Sequence, residues 1–93
     1  MKNKLEEVLD NYIHCLPGPY FSPQEHVTIC KIAYVCHVEN LRINDYESRF
    51  MEKLDQKFSL SKEVRNTFWE EFLDHIDENQ IVIERLDRLG LLK

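Results

Sequence analysis

The strongest pattern in the chain is an apolar stretch from Pro23 to Asn40 with the sequence PQEHVTICKIAYVCHVEN. At about 100° per residue, its apolar side chains cover most of the circumference of a helix and leave only a narrow polar stripe. They are Val27, Ile29, Ile32, Tyr34, Val35, Cys36 and Val38, with Leu41 just beyond. Helices of this kind are normally buried, so we predict a central helix over residues 23–40 that other elements enclose.

Amphipathic segments on both sides of this stretch predict further helices. Apolar residues recur on one helix face from Asn3 to Leu16 and again over 46–58 and 64–76. A last stretch carries Ile81 or Val82, Ile83, Leu86 and Leu89. The polar run 77–80 contains no Gly or Pro, so the last two stretches form either two helices or one bent helix. We predict an all-α fold, with residues 1–93 as one compact bundle of four or five helices.

Several residues predict where these helices begin and end. Pro17 and Pro19 disfavour helical geometry in the residues before them and end the first helix. Ser22 is predicted to cap the central helix, with Glu25 three residues later completing a capping box. Asn44 with Glu47 is predicted to cap the third helix in the same way, Ser61 the fourth, and Gly90 is predicted to end the last.

Composition narrows the class of protein. The formal net charge is −5, which lacks the basic surface typical of proteins that bind nucleic acid or anionic membranes. No apolar run approaches the ~18–20 residues of a membrane span, and no leader peptide is evident. Three cysteines, an odd number, fit reduced thiols better than a disulfide framework. We therefore expect a cytoplasmic protein without a membrane span and without direct nucleic-acid binding.

Histidine and cysteine residues on the central helix suggest a metal site, but few of them are close enough to bind the same ion. His26, Cys30 and His37 share one side of that helix, but His26 and His37 are separated by ~16 Å of helical rise. Only His26 and Cys30, at i and i+4, are close enough to chelate one ion, whereas structural zinc takes four ligands. The others would come through tertiary contacts from His14, Cys15, Cys36 or His75. The alternative is that these side chains are buried in a packed helix seam.

Catalytic chemistry has little support in the sequence. Cys30 and Cys36 lie in mid-helix among aliphatic residues, which raises rather than lowers the pKa of a thiol. No glycine-rich phosphate loop, nucleophile elbow or pair of catalytic carboxylates is present. We predict a protein that is not an enzyme, with no catalytic residues and no cofactor.

The most distinctive surface pattern is a row of carboxylates on the fourth helix, opposite its aromatic face. It comprises Glu63, Glu70, Glu71, Asp74, Asp77 and Glu78, and no Lys or Arg occurs between Asn66 and Gln80. Like charges at i and i+4 cost a few tenths of a kcal/mol per pair. The row is either a solvated face that keeps the chain soluble or a docking face for a basic protein partner, whose association it would accelerate.

One segment resembles a known family. Glu39-Asn40-Leu41-Arg42-Ile43, then Asn44-Asp45-Tyr46-Glu47, then Phe50-Met51-x-x-Leu54, and the step Phe58-Ser59-Leu60-Ser61 follow the order of the core repeat of TerB-like (tellurite-resistance) domains. The resemblance covers residues 27–75. It implies a helical scaffold used in stress-response assemblies, and metal binding. The family's Asp-Gly is Asn40-Leu41 here, which replaces a carboxylate with the weaker amide oxygen.

These patterns together predict a non-catalytic protein-binding module, a small acidic adaptor or an inhibitor of the immunity type. The alternative is a TerB-like stress-response domain that binds metal. A third prediction is a homodimer that forms through an exposed Trp69 or through a patch at Tyr20 and Phe21.

Overall fold

The structure is a computed structural model that describes residues 3–92, so residues 1, 2 and 93 of the predicted domain lie outside the described part. It contains α1 (Lys4–Cys15), α2 (His26–Val38), α3 (Glu47–Phe58) and α4 (Lys62–Arg88). Single 3-10 turns, Pro23–Glu25 and Ile43–Tyr46, precede α2 and α3. Residues 3–92 contain no strand, which confirms the all-α prediction.

Helix α1 begins and ends through local interactions and one distant lysine. Asn3 is its N-cap and accepts a hydrogen bond from the Glu6 N–H at 2.9 Å. At the other end, Leu16 is extended before Pro17, as predicted. Lys57 Nζ donates to the carbonyl oxygens of Ile13, His14 and Leu16 at 2.9, 2.5 and 2.7 Å. This lysine donates to carbonyls at the end of α1, where a helix lacks backbone donors, and it ties α3 to α1.

The predicted capping residues Ser22 and Glu25 open the 3-10 turn Pro23–Glu25, and α2 itself begins only at His26, three residues later than predicted, and ends in a Schellman motif. The Glu25 carboxylate accepts from the Ser22 backbone N–H at 2.6 Å, as a capping-box partner does. At the other end Asn40 is left-handed, with φ 54°. The Leu41 N–H donates to the Cys36 carbonyl and the Asn40 N–H to that of His37. Asn tolerates this conformation better than most residues, so Asn40 has a structural role in ending α2.

The prediction for the start of α3 was wrong. Asn44 lies inside the 3-10 turn, and the residue before α3 is Tyr46, which makes no side-chain capping bond. Tyr46 instead accepts a hydrogen bond from the Asn3 amide at 2.8 Å. The turn contributes Ile43 to the core, and burial of this side chain fixes the connection more strongly than the cap would.

The fourth and fifth predicted segments form one helix. Ser61 caps α4 by accepting from the Val64 N–H, and the helix continues without interruption to Arg88. Gly90 then follows with φ 76° in a second Schellman motif, in which the Leu91 N–H donates to the Leu86 carbonyl. The polar run 77–80 contains no helix breaker, so the preceding turns propagate through it.

Each half of α4 packs against different neighbours. Phe50 of α3 contacts Phe68, Trp69 and Phe72 in the N-terminal half, with ring centroids 6.0, 5.1 and 4.7 Å away. The C-terminal half lies along α2, since His26 contacts His75 and His37 Nε2 is 2.9 Å from Asp87 Oδ2. The two helices therefore run in the same direction, and α1 also packs against α2.

Two expectations about burial are corrected. Helix α2 is buried along one face only, because Val27, Tyr34 and Val38 are 80%, 40% and 56% exposed. A nearly all-round apolar pattern does not reveal that α2 is covered mainly by α4 and α1. Trp69 is 5% exposed, and Phe21 is half-buried against Phe68 with ring centroids 4.7 Å apart. The predicted dimer patch therefore keeps only Tyr20 as an exposed side chain.

Candidate protein-binding surface

The predicted carboxylates lie exposed along one side of α4, and we call this set of residues the acidic face. Glu63, Glu70, Glu71, Asp74, Asp77 and Glu78 are all exposed to solvent. Four of them lie within roughly 60° of one another around the helix, on the side opposite Phe72 and Ile76. These four are Glu63, Glu70, Asp74 and Asp77. The aromatic core thus fixes the direction in which the acidic face points.

None of these carboxylates is paired with a basic group among residues 3–92, although other carboxylates of the chain are. Arg49 lies 2.9 Å from Asp10 and 3.3 Å from Glu6, which joins α3 to α1. Arg65 lies 3.9 Å from Asp55, and His37 contacts Asp87. The acidic face has no counterpart to these contacts. Its charges therefore repel one another and interact only with solvent.

The outward side of α4 changes character after Asn79, a feature that the sequence analysis missed. Three apolar side chains in this part of the chain are exposed: Ile81, Val82 and Leu89. Arg85 and Arg88, which lie between Val82 and Leu89 in the sequence, are exposed as well. Of the apolar residues in this stretch, only Ile83 is buried. Treating α4 as one helix would have shown this, because Ile83 continues the spacing of Phe72 and Ile76 whereas Ile81 and Val82 do not.

A cavity at the start of α2 contains one of the two predicted metal ligands. The cavity has a volume of about 290 Å³ and is lined by Phe21, Ser22, Pro23, Glu25, His26, Ile29 and His75. The His26 and His75 rings meet edge to face, with centroids 6.2 Å apart, and Phe21 covers His75 at 4.7 Å. Cys30 is exposed one helical turn after His26. Residues 3–92 contain no group of three or more His, Cys, Asp or Glu arranged around one ion.

The remaining thiols differ in their surroundings. Cys36 is buried, and burial raises the pKa of its thiol to about 11. It is therefore neutral near pH 7, the form least suited to nucleophilic attack or metal binding. Cys15 is exposed near the end of α1, and its sulfur contacts the Asn11 side-chain oxygen at 3.9 Å.

Two buried polar groups lie between α1 and the start of α2. Glu25 is 9% exposed, and its Oε1 atom has no hydrogen-bond partner, nor does the Tyr12 hydroxyl. Burial, and secondarily the charge of Glu25, raises the pKa of Tyr12 well above its usual range. Both atoms are sealed from solvent, so the pair lacks the access that a substrate would require. Glu25 lies at the N-terminal end of α2, where a negative charge interacts favourably with the helix dipole and stabilises the helix.

No helix within residues 3–92 is long and apolar enough to cross a membrane. No protein-family model matches the chain, and no curated protein or solved structure matches it. The resemblance of residues 27–75 to TerB-like domains accordingly stays a prediction from sequence. Within that segment, the residue in place of the family's Asp is Asn40, whose left-handed backbone ends α2.

Proposed function

We propose that the chain is a non-catalytic protein-binding module, a small acidic adaptor or an inhibitor of the immunity type, which docks a basic protein partner on its acidic face. The observation that carries the proposal is that these carboxylates are all exposed and unpaired, whereas Glu6, Asp10 and Asp55 are paired. A basic partner would remove the repulsion among them on binding and would be steered towards them during encounter.

The rigid base of this surface supports the proposal. The acidic face lies on the back of the segment whose Phe68, Trp69 and Phe72 form the aromatic core, so its backbone is held by buried contacts. A fixed row of charges loses little conformational freedom when a partner binds. The chemistry available elsewhere is limited, since burial keeps Cys36 and Tyr12 in their neutral forms.

A charge-reversal experiment tests the proposal against the alternative of a merely solvating face. The variant Glu70→Lys/Asp74→Lys/Asp77→Lys removes the centre of the acidic face. The control Glu39→Lys/Glu47→Lys/Glu52→Lys has the same net charge but changes exposed residues outside α4. A partner captured from cell extract by the wild type should be captured by the control and lost by the first variant. The rate at which this partner associates with the wild type should also fall steeply as the salt concentration rises. Equal capture and equal rates for both variants would refute the proposal.

The alternative function, a metal-binding domain of TerB type, has a separate test. It rests on the exposure of His26 and Cys30 one turn apart, with His75 beside His26. An ion held by these residues would favour the folded state and raise the melting temperature by mass action. Melting with Zn²⁺, with Ca²⁺ and with a chelator, in the wild type and in His26→Ala/Cys30→Ser, measures this. An unchanged melting temperature in the wild type removes the alternative.

A further inference from the structure

The outward side of the C-terminal half of α4 carries opposite charges at equal distances before and after Ile81 and Val82. These two side chains are 58% and 54% exposed, in a chain whose other large aliphatic residues are mostly in the core. Glu78 comes three residues before Ile81, and Arg85 comes three residues after Val82. Farther out, Leu89 is 66% exposed. Acidic, apolar and basic side chains therefore follow one another along one side of a single helix.

Neither charge that flanks this apolar centre is ion-paired within residues 3–92. No Lys or Arg lies three or four positions from Glu78, and no acidic residue lies three or four positions from Arg85. The ion pairs within residues 3–92 involve neither of them. Seven residues separate the two, about 10 Å of helix, which is too far for a direct pair within one helix.

We propose that Glu78, Ile81, Val82 and Arg85 form a homodimer interface in which α4 of one copy packs antiparallel against α4 of a second copy. A two-fold axis at the midpoint between positions 81 and 82 places Ile81 against Val82 of the other copy. The same axis places Glu78 of each copy opposite Arg85 of the other. A parallel pairing would place like charges together, so the charges fix the orientation.

A second copy fits this face better than a partner of one charge sign, because the face carries both signs in a self-complementary order. The interface involves one side of one helix, so its area falls in the class of weak and transient contacts, below about 1,200 Å² in total. The dimer is therefore concentration-dependent. It uses Glu78, which also belongs to the acidic face, but leaves Glu63 and Glu70, two turns or more away, free for a basic partner. The dimer does not rest on the function proposed above.

Sedimentation velocity on the full chain from about 10 µM to about 1 mM tests the dimer, since this range spans the affinities of small interfaces. The wild type should approach twice the monomer mass at the upper end. Glu78→Arg and Arg85→Glu should each dimerise about ten- to thirtyfold more weakly, because both Glu–Arg contacts become like-charge contacts. An equimolar mixture of the two variants should regain wild-type association, because opposite charges then meet across the axis.

Two further variants distinguish this interface from general stickiness. Ile81→Glu places a charge at the two-fold axis and should abolish the dimer, whereas Val27→Glu, on the exposed side of α2, should leave it unchanged. All these positions are exposed, so far-UV circular dichroism and melting temperatures should match the wild type. A monomer at every concentration overturns the proposal. So does wild-type association of either charge variant alone, or a mixture that remains monomeric.

Discussion

The two halves of α4 show how differently one continuous helix can be used. The N-terminal half buries Phe68, Trp69 and Phe72 against α1 and α3, and the charged side chains on its outer side after Arg65 are all carboxylates. The C-terminal half lies along α2, buries Ile76 and Ile83 and exposes Ile81 and Val82. One half thus contributes the buried aromatic residues of the helix, and the other carries most of its exposed apolar surface.

The two halves should differ most in the stability lost when a core side chain is truncated. Phe72→Ala removes a ring that contacts Tyr12, Phe50 and Trp69 and should lower the free energy of unfolding by about 3–5 kcal/mol. Ile83→Ala should cost about 2–3 kcal/mol, since a smaller side chain loses fewer contacts. Urea denaturation of both variants measures the difference. The matched control Ile81→Ala should change stability by less than about 0.5 kcal/mol. Equal losses at Phe72 and Ile83 would contradict the unequal halves.

The next effect is a loss of stability in alkali. Burial raises the pKa of Cys36 to about 11, so the unfolded chain loses this proton near pH 9 while the folded chain still holds it. The contribution is fully present below pH ~9 and is lost as pH rises to ~11, by up to about 2–3 kcal/mol. Tyr12, whose pKa is also raised, adds a further loss above pH ~10. Denaturation at pH 8, 9 and 10 should show the decline.

Cys36→Ala separates the two groups. This variant should be less stable at pH 8 but should lose less between pH 9 and pH 10, because the thiol no longer titrates. A decline as steep as that of the wild type in this interval would assign the effect to other groups.

A smaller effect is expected where the C-terminal half ends. Gly90 has φ 76°, and a Cβ atom built there meets nothing within 4 Å, so Gly90→Ala should cost about 1 kcal/mol through the backbone alone. Asn40 occupies the equivalent position of the Schellman motif that ends α2, with φ 54°. Asn40→Gly should therefore stabilise by a few tenths of a kcal/mol. Hydrogen exchange of the Leu91 and Leu41 amides, with thermal melting, measures both. Stability changes of the same sign in Gly90→Ala and Asn40→Gly would contradict the left-handed roles of these two residues.

The smallest effect is expected at a buried hydroxyl beside the N-terminal half. Tyr12 stacks on Phe72 with ring centroids 5.6 Å apart, and its hydroxyl has no partner. Tyr12→Phe keeps the stacked ring and removes an unpaired polar atom, so stability should stay equal or rise by up to about 1 kcal/mol. Chemical denaturation at pH 7 checks this. A loss of more than about 1 kcal/mol would show that the hydroxyl is bonded in solution.

Local interactions explain which features were predictable. Ser22 with Glu25, Ser61, Pro17 and Gly90 act on the few residues next to them, and all occur where they were predicted. The acidic face was also predictable, because six carboxylates on one side of a helix cannot all be buried. Asn44 has the same local pattern as Ser22, yet burial of Ile43 places it inside a turn.

The sequence by itself determined that the chain is helical, where most of the helices begin and end, and that α4 presents carboxylates to solvent, because these depend on spacing and neighbouring residues. Tertiary structure alone decided which side of α2 stays exposed, that Trp69 is buried, and that Ile83 rather than Ile81 faces the core. Each of these depends on which helix packs against which. An apolar side chain is buried only where another element covers it, and that element lies far away in the sequence.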